Sequence, residues 1–365
     1  MSKKEKVTKS ALNVQAGIEQ PSSVNPLLAK GMSQFKKGKL DYTQLIEGIT
    51  KGDRSLLSRG ITLVESSLAK DKEIAKEIIQ GCLPHSGKSV RIGITGVPGV
   101  GKSTFIETFG NYLIQQGKKV AVLAIDPSSK RSKGSILGDK TRMESLSTNG
   151  NAFIRPSASA GTLGGVARKT REAIILCEAA GFDIILIETV GVGQSETAVA
   201  QIVDFFLLLM LAGGGDELQG IKRGIMEMAD LIVINKADGD NIKKAQLAKR
   251  EYENALHLFP ALKNEWIPKV QTASALKSDG IKDVWETINS YLSLTKSNGH
   301  FETKRTEQSG EILMESIETV LLDSFFRQEE IKTQLKHIKK QIQSGVLNPY
   351  EAADNLLKVY FSPDK

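Results

Sequence analysis

Eight consecutive residues, Gly96-Val97-Pro98-Gly99-Val100-Gly101-Lys102-Ser103, fit the pattern G-x-x-x-x-G-K-[ST] and constrain the fold more than any other feature of the chain. An apolar run, SVRIGIT (89–95), precedes them, and an amphipathic run ending near Gly117 follows. A strand that turns at once into a helix puts a row of loop N–H groups and the positive end of that helix at one point. This is a cradle for phosphate. The glycines let the backbone wrap the anion. Lys102 reaches the β- and γ-phosphates, the Ser103 hydroxyl ligates Mg²⁺, and Thr104 adds a donor near the α-phosphate.

After the loop, apolar strands alternate with helices. KVAVLAID (119–126), a short run at Ala152–Arg155, DIILIE (183–188), DFFLLLM (204–210), DLIVIN (230–235) and KVQTAS (269–274) read as strands. A helix over Thr162–Ala180 is stopped by Gly181. Near-continuous Val, Ile and Leu runs suit strands covered on both faces. The expected fold is α/β, a doubly wound, mainly parallel P-loop sheet of about 200 residues.

Helical flanks enclose it. Asp41 can cap a helix carrying Leu45, Ile46 and Ile49, and Asp53 a second with Leu57, Ile61, Val64 and Leu68. At the other end Ile331, Leu335, Ile338 and Ile342 form an apolar stripe, Gly345 can stop that helix and Pro349 can open the next. The expected divisions are a polar basic lead-in (1–40), an N-terminal helical extension (41–88), the nucleotide domain (89–300) and a C-terminal helical arm (301–365). A stripe of that size is expected to be covered by a second copy, making a homodimer, with the arm folding back on its own core as the alternative.

Charge places the chain further. The net charge is +7, but residues 1–40 carry eight lysines against two glutamates, which leaves the other 325 residues near neutrality. A solvated basic tail is thus expected rather than a nucleic-acid reader, and aromatic residues are only 5%. No apolar run approaches the ~18 residues of a membrane helix. Two cysteines cannot build a disulfide framework. A cytoplasmic setting without membrane attachment is the expectation.

Further carboxylates and glycines follow the expected strands. Asp126 ends the second strand, and a β-α-β unit would place it near the γ-phosphate, to orient the attacking water or hold a metal-bound water; a capped strand end is the bland alternative. Glu188 ends the next long strand, where a carboxylate can hold Mg²⁺ through water. Gly191, in Glu-x-x-Gly spacing, can donate its N–H to the γ-phosphate, and Gln194 can face the catalytic water. Asn235-Lys236-Ala237-Asp238 closes the strand DLIVI. The Asp238 carboxylate can accept from guanine N1–H and N2–H₂ together, a pair adenine lacks. Asn235 can brace the loop and the stem of Lys236 can cover the base. Ser274-Ala275-Leu276 ends the last strand, where a backbone N–H can meet guanine O6. A site built on those donors prefers GTP and GDP over ATP, by roughly 10⁴-fold.

The segments GVPGVGKST (96–104), AIDPSS (124–129), GSILGDKTRM (134–143), ETVGVGQSE (188–196) and GGGDELQGIKRGIMEMAD (213–230), followed by NKAD, resemble the MeaB-type GTPases. These are the methylmalonyl-CoA mutase-associated G-protein chaperones, once labelled arginine/ornithine transport kinases. SRGITLVES (58–66) matches that family's helical extension, and the resemblance runs from about Asp41 to Leu294. It implies a GTP-gated chaperone that loads and protects adenosylcobalamin in an acyl-CoA mutase, and a homodimer joined partly through the C-terminal arm. It puts Asp126, Asp139 and Glu188 at magnesium and switch positions. It makes Gly213–Gly224 an additional switch, with Asp216 and Lys222 signalling to the partner; read from the residues alone, Asp216, Glu217 and Lys222 in a Gly-rich loop are otherwise a solvated surface turn. The cobalamin would belong to the mutase, since no cobalamin ligand signature is legible here. The basic lead-in has no counterpart in the family pattern.

Three other readings share the core, one of them a pure scaffold with a dead nucleotide site, against which Lys102, Ser103 and Glu188 are all intact. A nickel-delivering metallochaperone GTPase would need His/Cys clusters, and the four histidines, at 85, 257, 300 and 337, are scattered. A kinase acting on a small molecule or transport protein would need a second substrate pocket, and none is legible.

Overall fold

A computed structural model describes residues 41–66, 68–125, 143–156, 163–189, 195–213, 223–259 and 264–361. Asp126, Asp139, Gly191, Gln194, Asp216 and Lys222, like the lead-in 1–40, lie outside the described residues. Tyr42–Lys365 make up one structural unit.

Its centre is a seven-stranded sheet in which every pair is parallel. The strands are β1 (Val90–Gly96), β2 (Val120–Ile125), β3 (Ala152–Pro156), β4 (Ile184–Thr189), β5 (Phe205–Leu211), β6 (Leu231–Asn235) and β7 (Lys269–Thr272), in the order β3-β2-β4-β1-β5-β6-β7. β1 to β6 are largely buried, as their Val, Ile and Leu runs require. The helices are α1 (Tyr42–Thr50), α2 (Arg54–Glu65), α3 (Ala69–Cys82), α4 (Lys102–Gln115), α5 (Glu144–Thr148), α6 (Leu163–Ala179), α7 (Ser195–Ala200), α8 (Arg223–Glu227), α9 (Ile242–Leu256), α10 (Ile281–Ser297), α11 (His300–Arg327), α12 (Glu329–Gln343) and α13 (Pro349–Phe361).

The order of the strands in the sheet is not their order in the chain. β2 follows β1 in sequence, but β4 lies between them, with Glu188 paired to Ile94 of β1 on one side and to Ala124 of β2 on the other. The β-α-β unit therefore spans a strand. Ile125, the last residue of β2, lies beside Thr189, so β2 ends next to the carboxyl end of β4.

The N-terminal helices pack on one another and on α6 through Leu45, Ile49, Leu57, Ile61 and Val64, all buried. Asp53 caps α2, its carboxylate accepting from the N–H groups of Ser55 and Leu56 at 2.8 and 3.0 Å. On the other face α4 and α10 meet through Phe109 and Trp285, whose rings lie edge to face at 6.3 Å.

The first half of α11 is clamped to the sheet. Gln308 donates to Val203 O at 3.0 Å, and Arg305 binds Asp204. Beyond it the arm closes on itself. Ile331 is fully buried and Leu335, Ile338 and Ile342 are half-buried, with α12 packed on α11 and α13. Tyr360 of α13 meets Phe325 edge to face and hydrogen-bonds Ser324 at 3.0 Å. The stripe expected to be covered by a second copy is thus an internal seam of the arm. The uncovered apolar face is instead on α11, where Leu313, Met314, Val320, Leu321 and Leu322 are all more than half exposed. Among the described residues no helix is long and apolar enough to cross a membrane.

Candidate nucleotide site

The loop between β1 and α4 sits at the carboxyl end of the central strand, the usual ligand edge of an open parallel sheet. Two glycines are required by their surroundings. Gly96 pairs with Leu209 of β5, and a Cβ there would stand 2.4 Å from the Leu209 carbonyl oxygen. Gly101, the residue before α4, has φ of 90°, which a side chain disfavours. Between them Val100 is buried and acts as the loop's apolar anchor, while Pro98 and Gly99 are exposed at its tip.

Lys102 opens α4. Its ammonium donates to Gly96 O at 2.8 Å and Val97 O at 3.4 Å. Burial pushes its pKa down, and the carboxylates of Glu188 and Glu196 pull it back up. Backbone carbonyls are neutral partners, so phosphate oxygens would displace them at a gain in charge pairing. Ser103 donates to Glu188 Oε1 at 3.4 Å, while Thr104 next to it is exposed. Glu188 is 8% exposed, and behind it Thr189 donates to Thr95 at 2.7 Å, locking β4 to β1. A serine hydroxyl beside a carboxylate is a hard oxygen pair of the kind Mg²⁺ takes, with waters completing its shell. Ser103 and Glu188 would hold the ion, which would neutralise charge on the phosphates.

The second half of the site is a pair of loops after β6 and β7. Asn235, 1% exposed, ties three elements together. Its amide donates to Val100 O at 2.8 Å in the phosphate loop and accepts from Ala275 N–H at 3.2 Å. Lys236, held at φ of 58°, donates its ammonium to Gly99 O at 2.8 Å, so its stem lies over the phosphate loop. Asp238 accepts a short hydrogen bond from the Ser274 hydroxyl, which itself accepts from Lys277 N–H at 3.1 Å. Backbone bonds from Ala237 N–H to Ala273 O (3.0 Å) and from Ala273 N–H to Ile234 O (2.9 Å) stitch the two loops. Thr108 of α4 donates to Ala275 O at 2.9 Å. Leu276 keeps its side chain exposed.

The structure therefore gathers the phosphate loop, Glu188, Asn235, Lys236, Asp238, Ser274, Ala275 and Leu276 at one edge of the sheet. Two residues without an assigned role in the sequence join them. Glu196 is 3% exposed in the first turn of α7 and acts on Lys102. It lies in the quoted segment 188–196, but only the tertiary approach of α7 gives it a charge to face. Thr108 carries no local signal, because a single threonine on an amphipathic helix has no distinguishing spacing.

A family model described as methylmalonyl-CoA mutase-associated GTPase MeaB matches residues 57–330. A putative GTPase of Caulobacter vibrioides is 50% identical over 321 residues, covering 88% of this chain and 98% of that protein. The mitochondrial methylmalonic aciduria type A homolog of Mus musculus is 47% identical over 343 residues, covering 91% of this chain and 82% of that protein. A crystal structure titled LAO/AO transport system kinase superposes with a TM-score of 0.70 at 37% identity, covering 89% of this chain and 99% of that one.

Proposed function

The chain belongs to the MeaB family of methylmalonyl-CoA mutase-associated GTPases, and from that premise we propose that it is the nucleotide-gated chaperone of a cobalamin-dependent acyl-CoA mutase. As a P-loop GTPase it binds guanine nucleotides and hydrolyses GTP to GDP and phosphate. The reading beyond that is carried by one observation. Asn235 holds the phosphate loop and the base loops in a single hydrogen-bonded unit, so what happens at the phosphates is felt throughout the site.

In this reading Lys102 exchanges its two carbonyl partners for β- and γ-phosphate oxygens, and Ser103 and Glu188 hold Mg²⁺. Asp126, Asp139 and Gly191 complete the phosphate end, and Gln194 faces the water. Asp238 accepts from guanine N1–H and N2–H₂, with its carboxylate aimed by Ser274. Gly213–Gly224 relays the state of the γ-phosphate, with Asp216 and Lys222 on the signalling face. The position of β5 favours that relay: Leu209 lies beside Gly96, and β5 ends at Leu211, so the segment leaves the sheet next to the phosphate loop. The adenosylcobalamin is cargo of the mutase. A second copy of the chain covers the α11 face, which gives a homodimer.

Pull-down with this protein loaded with GTP or GDP, followed by identification of what is retained, tests the partner. A mutase held in one nucleotide state and released in the other is the expected result; no mutase in either state overturns the reading. Light scattering on the same preparation should give twice the chain mass, and the mass of a single chain would remove the dimer.

A further inference from the structure

Both polar groups of Ala275 are engaged from opposite sides. Its N–H donates to Asn235 Oδ1 at 3.2 Å, and its carbonyl accepts from the Thr108 hydroxyl at 2.9 Å. The carbonyl of Ala275 and the N–H of Leu276 belong to one planar trans peptide unit, in which they point in opposite directions. Fixing the carbonyl toward α4 therefore fixes the Leu276 N–H away from α4. That N–H makes no hydrogen bond to any described residue. The neighbouring donors are spoken for, since Ala275 N–H goes to Asn235 and Lys277 N–H to Ser274.

We propose that Thr108 is a positioning residue for base recognition: through the Ala275 carbonyl it aims the Leu276 N–H at guanine O6. The inference rests on the reading of Asp238 and Ser274-Ala275-Leu276 as the guanine pocket, and it names the donor and the group that orients it. A hydroxyl on the phosphate-loop helix gains a purpose at the base. Helix α4 begins at Lys102 and reaches the base loop at Thr108, so one rigid element sets both ends of the nucleotide. Without the Thr108 hydroxyl the Ala275–Leu276 peptide loses the bond that sets its plane, and the carbonyl loses its donor. The cost of one such bond, about 1 kcal/mol, corresponds to roughly fivefold in affinity.

The test uses the full-length protein and three variants, Thr108→Val, Thr108→Ser and Asp238→Asn, with GDP, GTP, ITP, ATP and 6-thio-GTP as probes. Valine keeps the shape of threonine and removes the donor. Thr108→Val should release GDP roughly fivefold faster, and Thr108→Ser should restore the rate. The sulfur of 6-thio-GTP is a poor acceptor, so wild type should bind it more weakly than GTP, and that gap should shrink in Thr108→Val. The ITP-to-GTP ratio reports the N2 amino group read by Asp238. It should be unchanged in Thr108→Val and altered in Asp238→Asn. A Thr108→Val protein with wild-type GDP release, or with the full 6-thio gap, overturns the role of Thr108 while leaving the pocket standing. A wild-type protein that binds ATP as tightly as GTP brings down the pocket, and this inference with it.

Discussion

At the amino ends of β1 and β5, two buried carboxylates are paired with two partly buried arginines; at the carboxyl ends of the same strands, a lysine, a serine and a carboxylate surround the phosphate loop. The partners differ in kind. Arg91 pairs with Glu178 at 2.9 Å, and Arg305 pairs with Asp204 at 2.7 Å. Glu178 also accepts from Gly87 N–H and the Ser89 hydroxyl, and Arg305 donates to the carbonyls of Gly87 and Ser89. Every charge there has an opposite charge from a fixed side chain, and the cluster joins the end of the N-terminal extension, β1, α6 and α11. Lys102, by contrast, donates to neutral carbonyls of its own loop while the carboxylates of Glu188 and Glu196 attract it, and Ser103 and Glu188 stand at 3.4 Å. The same residue types lock the fold where their partners are charged and built in, and await a ligand where their partners can be exchanged.

The largest expected effect falls at the carboxyl end. Lys102→Ala should cut single-turnover phosphate release on the order of 10³-fold, because phosphoryl transfer is mostly positioning and charge stabilisation. Its melting temperature should move by only a few degrees. A variant hydrolysing GTP at the normal rate would strip the ligand role from this end.

The amino end should answer in the opposite way. Asp204, 1% exposed, leaves the partly buried Arg305 without its counter-charge when removed. Asp204→Ala should cost about 3–5 kcal/mol in urea unfolding, with the turnover of the folded fraction within about twofold of wild type. If turnover collapses while stability holds, the division between the two ends is false.

A smaller effect sharpens the comparison. Asp230, just before β6, is buried and accepts from Phe206 N–H at 2.8 Å. Burial pushes its carboxyl up to about 6 from 3.8, against the attraction of Lys304 and that hydrogen bond. With the folded pKa above the unfolded one, the folded chain takes up a proton that the unfolded chain does not. The stability from this group is complete below pH ~4 and is lost as pH rises through ~6. Relative to Asp230→Asn, wild type should therefore gain about 1–3 kcal/mol between pH 7.5 and pH 4.5. A constant difference across that range would mean that Asp230 is ionised in the fold throughout.

Much of the site was legible because its chemistry is local. Gly96 to Ser103 is one contiguous loop, and Asn235 to Asp238 another, so residue type and spacing were enough to read phosphate and guanine. The arm is less legible. Ile331, Leu335, Ile338 and Ile342 were visible as a stripe, but periodicity identifies a face that must be covered and not what covers it. Here α11 and α13 of the same arm do so, and the open face falls on α11.

By itself the sequence determined the elements: seven apolar strand runs, a helix after the phosphate loop, caps such as Asp53, and helical flanks. Each of these is set by contacts within a few residues of chain. Only the tertiary structure decided that β4 enters between β1 and β2, since runs such as VAVLAI and IILIET are interchangeable as neighbours until the whole sheet is assembled. It also decided that Thr108 meets Ala275 across 167 residues and that Glu196 reaches Lys102. Such pairings carry no local signature, because a hydroxyl or a carboxylate acquires its role only from what the fold sets opposite it.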